Sequence, residues 1–156
     1  MTESRHLTQI EVKTGDAAAD GLLKGIVAGV VMAAYLVLAG LVVGEGPGTV
    51  LARFAPSGGA SVMTGALVHL AVSAVYGALF GAGWHVVRHR QPFDQLRAGS
   101  LPPWLAGLLY GVILLVVAEA ALLAGADLPL REFPLVHFAA AHVIYGVSLG
   151  LLMREM

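Results

Sequence analysis

Four polar side chains interrupt otherwise apolar stretches of this sequence, and their types could together form a chemical site. They are Tyr35, His69, Glu119 and His142, one from each of four stretches. At a helical rise of about 1.5 Å per residue, all four lie roughly 10–14 Å from the same end of their stretches. Pointing inward together, they would form a polar layer with one carboxyl group, one phenol and two imidazoles.

Three interpretations of this layer remain open from the residues alone. In the first, the side chains form a hydrogen-bond network that fixes the register of the helices, at about 0.6 kcal/mol per bond. In the second, Glu119 pairs with His69 or His142 in a site that moves protons or cations, because ionisable groups inside a membrane often mark such paths. The third interpretation is a bound metal or haem.

Two ligand sets are possible for the third interpretation. His69, Glu119 and His142 could ligate a divalent metal, since imidazole and carboxylate both suit transition metals. Alternatively, His69 and His137 could be the axial ligands of a b-type haem. His137 and His142 are separated by about 140° around a helix, so only one of them can join His69 at a common centre.

The sequence offers little support for an enzyme. It contains no phosphate-binding loop, nucleophile elbow or HExxH motif, and Glu119 is the only acidic residue deep in an apolar stretch. The absence of cysteine excludes disulfides and thiolate metal sites. We therefore expect a protein without catalytic residues and without a nucleic-acid partner.

The four apolar stretches themselves predict where these residues sit. They cover residues 21–44, 61–87, 101–126 and 134–153, each at or above the roughly 20 residues that an α-helix needs to span a bilayer. The chain is 58% hydrophobic and 12% charged, far from the roughly 25% charged of soluble proteins. The sequence predicts an all-α polytopic membrane protein, a four-transmembrane-helix bundle over 21–153 that follows a polar segment at 1–20.

The distribution of basic residues predicts the orientation in the membrane. Four crossings place both termini and the 87–101 connection on one side, and seven of the nine basic residues fall there. The other side carries only Arg53 and Arg131. Because short cytoplasmic connections are enriched in Lys and Arg, both termini are expected in the cytoplasm.

Glycine spacing suggests an internal repeat and a mode of packing. Pairs four residues apart occur in each stretch: Gly25/Gly29, Gly77/Gly81, Gly107/Gly111 and Gly146/Gly150. At an offset of 82 the first pair matches the third, and the second and fourth each follow a tyrosine, so the chain resembles two copies of a helix hairpin. Chance similarity between apolar helices is the alternative. Such small-residue faces let helices approach closely in lipid. The neighbouring helix could belong to this bundle, to a second copy of the chain, or to another transmembrane protein.

Several segments carry a family resemblance. They are the apolar run at 21–32, His69 leading to Tyr76-Gly77, Leu109-Tyr110-Gly111, and the run from His142 to Gly150. The combination resembles small four-helix bacterial membrane proteins akin to the YagU inner-membrane family and related groups of unknown function. The resemblance implies a bacterial inner membrane protein and transfers no catalytic role to any residue.

Together these features favour a non-catalytic accessory or structural subunit that lies in the lipid bilayer and packs with other membrane proteins. The alternative is a redox protein binding haem b, or a proton- or ion-handling protein, that uses the intramembrane His and Glu residues.

Overall fold

A computed structural model describes residues 2–56, 61–89, 101–123 and 133–153, and within these ranges the secondary structure is helical, with no strand. Five helices occur in the order α1 (Thr2–Val42), α2 (Pro47–Ala52), α3 (Val62–His89), α4 (Pro103–Leu123) and α5 (Leu135–Leu152). All but α2 are long and apolar enough to cross a membrane. The all-α class and the four spanning helices are confirmed, and the protein is a multi-pass membrane protein.

The first helix is the one whose bounds differ most from the prediction. It begins at Thr2 and continues through the segment expected to precede it. Residues 16–20 are alanines flanked by aspartates, without proline or glycine, so nothing in this stretch ends a helix. Ala17 is buried in this extension and its carbonyl lies against Gly81 of α3. The apolar span within α1 runs over Lys13–Val42.

The connection after α1 contains a short helix, α2. Gly44 has a φ of +85°, the left-handed conformation that commonly ends a helix. The amide of Glu45 then donates to the Gly40 carbonyl at 2.9 Å. Helix α2 follows with Pro47 in its first turn, where the missing N–H of proline is tolerated.

Helices α1 and α3 form one hairpin through glycines that face each other. The carbonyl of Gly21 lies where a Cβ on Gly77 would be, and the carbonyl of Gly77 lies where a Cβ on Gly21 would be. A Cβ on Gly77 would also lie 2.5 Å from the Cα of Gly25. Only glycine, whose side chain is a hydrogen atom, permits the two backbones to approach so closely. The resulting van der Waals contact stabilises the helix pair, because the hydrophobic effect does not drive helices together within lipid.

Helices α4 and α5 form a second hairpin with the same contact pattern. Gly107 and Gly146 face each other's carbonyls reciprocally, and a Cβ on Gly146 would lie 2.9 Å from the Cα of Gly111. Gly150 approaches the carbonyl of Pro103 as Gly81 approaches that of Ala17. The glycine faces of both hairpins are therefore used within the chain.

The shared pattern corrects the register of the predicted repeat. In the structure, Gly107 and Gly111 make the contacts that Gly21 and Gly25 make in the first hairpin. The sequence had matched them with Gly25 and Gly29, which is one helical turn too far along α1. The sequence is ambiguous on this point because α1 carries three glycines four residues apart, and only the helix they contact distinguishes them. Gly29 instead faces the side chain of Ser73.

The two hairpins join through α1 and α5, which also pack against each other. On the other side of the bundle, α3 meets α4 and α5 through large side chains. The ring of Phe80 on α3 contacts the ring of Tyr110 on α4 at 5.1 Å between centroids, with the ring planes tilted by 43°. This wider separation leaves space in the bundle interior next to α3.

The orientation of the bundle in the membrane remains a prediction. Arg88 of α3 lies over the Trp84 ring, 5.9 Å from its centroid, in the expected cytoplasmic end of the helix. Arg90, Arg97, Arg131 and Arg154, which contribute to the charge argument, lie outside the described residues.

Candidate functional site

An interior cavity of about 180 Å³ lies next to α3, and two of the four predicted layer residues, His69 and His142, line it. Side chains from the four spanning helices, together with Phe54 after α2, form its wall: Met32, Phe54, Val68, His69, Val72, Ser73, Tyr76, Leu114, Ala118, Phe138, His142 and Tyr145. Most of these are apolar, and the polar ones come from α3 and α5. Val72 is 46% exposed, so the cavity reaches the lipid-facing surface of the bundle.

His69 is fixed by a bond to the neighbouring helix. Its Nε2 donates to the main-chain carbonyl of Gly29 at 2.9 Å, and the side chain is 8% exposed. The ring of Phe54, which follows α2, lies 4.3 Å away between centroids. Because Gly29 has no side chain, the imidazole can reach the backbone of α1 at this point.

His142 is fixed by a bond within its own helix. Its Nδ1 donates to the carbonyl of Phe138, one turn earlier, at 2.9 Å, and the side chain is also 8% exposed. The Phe138 ring contacts it edge-on at 4.5 Å between centroids. Each imidazole is thus held against a phenylalanine at the cavity wall.

These two hydrogen bonds determine which ring nitrogen carries the proton. A carbonyl oxygen only accepts, so the nitrogen that faces it must be protonated, and a neutral imidazole has one N–H. Since a charge inside the hydrocarbon is costly, both rings are assigned as neutral. His69 then has an unprotonated Nδ1 and His142 an unprotonated Nε2, and no described residue hydrogen-bonds to either atom.

The other two layer residues lie apart from the cavity wall. The hydroxyl of Tyr35 on α1 shares a hydrogen bond with Nδ1 of His137 on α5 at 3.1 Å. Glu119 of α4 is half-buried and near enough to His142 for an electrostatic interaction. Neither lines the cavity. Of the four predicted layer residues, the cavity wall therefore contains His69 and His142.

The structure also bears on the ligand sets considered from the sequence. Within the described ranges, no group of three His, Asp or Glu side chains is arranged to hold a metal ion. For the haem pair, His137 does not line the cavity that His69 faces. Its Nδ1 is engaged by Tyr35 and the Nε2 of His69 by Gly29. His69 and His137 are therefore not walls of the same cavity, and one nitrogen of each ring is engaged in a hydrogen bond.

Two tyrosines that were not among the predicted site residues join the hairpins. The Tyr145 hydroxyl donates to the Ser73 carbonyl at 2.7 Å, and the Tyr110 hydroxyl donates to the Tyr76 carbonyl at 2.8 Å. The sequence carries a signal that could have identified these two tyrosines. Each stands immediately before a packing glycine, as Tyr76 does. A tyrosine at that position lies beside the contact face, from which its hydroxyl can reach a third helix.

A salt bridge holds the segment that closes the cavity near His69. The two terminal guanidinium nitrogens of Arg53, Nη1 and Nη2, each donate to the Glu45 carboxylate at 2.6 Å. The guanidinium group also lies over the Phe133 ring, 4.9 Å from its centroid. The hydrogen bond from Arg53 lowers the pKa of Glu45 below 4.5. The adjacent Phe54 is buried between Phe133 and His69, so this salt bridge helps to position the cavity wall.

Comparisons of the chain with protein-family models, with curated proteins and with solved structures found no match.

Proposed function

We propose that this multi-pass membrane protein is a non-catalytic accessory subunit that packs against another transmembrane protein through α4. The supporting observation is that α4 has the smallest buried share of the four spans, 17% against 39% for α5. Its closest helix packing is with α5 alone. The residues on its outward face are Leu109, Val112, Ile113, Val116 and Val117, all exposed.

The polar groups support a structural role for the membrane interior. Each hydrogen bond described above joins one part of this chain to another, and the bonds of Tyr35, His69, Tyr110 and Tyr145 cross between helices. Such bonds fix helix register. We propose a bacterial inner membrane with both termini cytoplasmic, in keeping with the charge distribution and the YagU-like resemblance.

Cysteine crosslinking provides a direct test because the native chain contains no cysteine. Val116 on α4 and Leu38 on α1 are both 62% exposed apolar residues on spanning helices, so Leu38 is the matched control position. We expect a Val116→Cys variant to form a protein adduct in native membranes and a Leu38→Cys variant to form much less. Equal labelling at both sites, together with a lone monomer in native electrophoresis after mild extraction, contradicts the proposal.

A second candidate function is proton or ion handling by the interior polar groups. It is favoured by the shared cavity of His69 and His142 and by the electrostatic interaction of Glu119 with His142. Replacing Glu119 with Gln removes the ionisable carboxyl group and keeps the shape of the side chain. Loss of ion or proton flux in proteoliposomes with unchanged folding supports this candidate, and equal flux with or without the protein excludes it.

The redox branch of this candidate has a separate optical test. The absorption spectrum of protein purified from haem-replete cells would contain a Soret band if haem b were bound. Because His69 and His137 do not face one cavity, we expect no such band.

A further inference from the structure

We propose that the interior cavity is a binding site for a single aromatic ring that carries hydroxyl donors, of the phenol or hydroquinone class. This inference concerns the cavity alone and does not depend on whether α4 contacts a partner. It rests on three properties of the cavity, namely its size, its free polar atoms and its access to lipid.

The volume suits one ring. A dry apolar cavity of about 150 Å³ is large enough to bind benzene, and this one measures about 180 Å³. The side chains of Phe54, Phe138 and Leu114 provide apolar walls against which a flat ring can pack. A macrocycle the size of haem requires more space than this.

The free polar atoms require donors from the ligand. Nδ1 of His69 and Nε2 of His142 are hydrogen-bond acceptors because the other nitrogen of each ring holds the proton. Both residues are more than nine-tenths buried overall and line the cavity, and neither acceptor nitrogen is hydrogen-bonded to a described residue. The Tyr145 hydroxyl has already donated to Ser73. A ligand O–H that points at either nitrogen satisfies it.

The route into the cavity from the lipid-facing surface suits a lipid-soluble molecule. The cavity reaches the bundle surface beside Val72, and α3 meets α4 there through side chains instead of close backbone packing. A small phenol dissolved in the bilayer can therefore enter without opening a helix pair. The proposal concerns reversible binding and includes no redox step.

The test uses the full chain in nanodiscs, labelled with ¹⁵N in histidine, and titrated with phenol and hydroquinone. Anisole, which has the same ring without the donor, is the comparison ligand. We expect saturable binding of phenol with a shift of the unprotonated ring nitrogens of His69 or His142. Anisole should bind at least about 5-fold more weakly, the factor for one net hydrogen bond.

Variants separate this site from general partitioning into the bundle. His142→Leu removes one acceptor and should weaken phenol binding by about 5-fold, whereas His137→Leu, on the same helix but outside the cavity, should leave it unchanged. Ala118→Leu should fill the cavity and abolish binding while the folded helix content is retained. If anisole binds as tightly as phenol, if His137→Leu weakens binding as much as His142→Leu, or if phenol causes no saturable shift, the proposal is wrong.

Discussion

The hydroxyl of Tyr145 donates to the main-chain carbonyl of Ser73 at 2.7 Å, across the gap between α5 and α3. Within α3 that carbonyl is also positioned to accept the helical amide of Gly77, the residue whose backbone lies against α1. One short stretch of α3 is thus held from both sides, by glycine packing on one face and by a phenol on the other. The stability of the bundle depends on both kinds of contact.

Removing the bridging hydroxyl should weaken the attachment of the second hairpin. Tyr145→Phe keeps the ring but leaves the connection to Ser73 unmade, and we expect a loss of about 0.6 kcal/mol, at most about 1.7 kcal/mol, in the free energy of unfolding. Tyr110→Phe should act similarly through Tyr76. The measurement is unfolding of the detergent-solubilised protein by added SDS.

Tyr76→Phe is the matched control for these variants, since its hydroxyl makes no hydrogen bond to a described residue. We expect its unfolding free energy to equal that of the wild type. A loss as large in this variant as in Tyr145→Phe would mean that the hydrogen bond is not the cause.

A methyl group at the glycine contacts should separate the helices. A Cβ on Gly77 would meet the backbone of α1, and one on Gly146 would meet the backbone of α4, neither of which can move aside as a side chain can. We expect Gly77→Ala and Gly146→Ala each to destabilise the fold by about 1–3 kcal/mol, measured by the same SDS titration.

Gly83→Ala is the control for helix propensity. Nothing lies within 4 Å of a Cβ at Gly83, so alanine there should stabilise α3 by about 0.5–1 kcal/mol through lower unfolded-chain entropy. Opposite signs at Gly77 and Gly83 on one helix would establish that contact decides the outcome. Destabilisation of equal size at Gly77 and Gly83 would refute the idea that contact with the neighbouring helix decides the effect.

The two interior histidines should show opposite tautomers. His69 donates from Nε2 and His142 from Nδ1, so ¹⁵N spectra of the neutral protein should contain one ring of each protonation pattern, assigned with single His→Leu variants. His69 protonated at Nδ1, or both rings in the same form, would contradict the geometry and remove the basis for the cavity proposal.

The Arg53–Glu45 salt bridge should give a defined acid dependence. Because the folded-state pKa of Glu45 lies below its ordinary value of 4.5, the stabilisation is present above pH 4.5 and is lost as the pH falls through the lowered pKa. We expect wild type and Glu45→Gln to differ in thermal stability at neutral pH and to converge in acid. A difference that does not change with pH would show that the charge of Glu45 is not involved.

Much of this architecture is readable from the sequence, since a spanning helix must satisfy its backbone internally and needs about 20 apolar residues. The four spans and their packing glycines follow from composition and spacing, which also predict polar residues at one depth. Residues such as His69 and His142 can be recognised as interior because a charge or imidazole is too costly to leave in lipid.

The tertiary structure decided what spacing leaves ambiguous. Glycines repeat every turn along α1, so only the contact with Gly77 could fix which of them pair and correct the offset of the repeat. The depth of a residue along a helix does not reveal which way its side chain points around the helix axis. For that reason the sequence could not show that Tyr35 and Glu119 lie outside the cavity wall. The sequence alone predicted which segments are long and apolar enough to span a membrane, whereas the direction that each residue faces depended on how the helices packed.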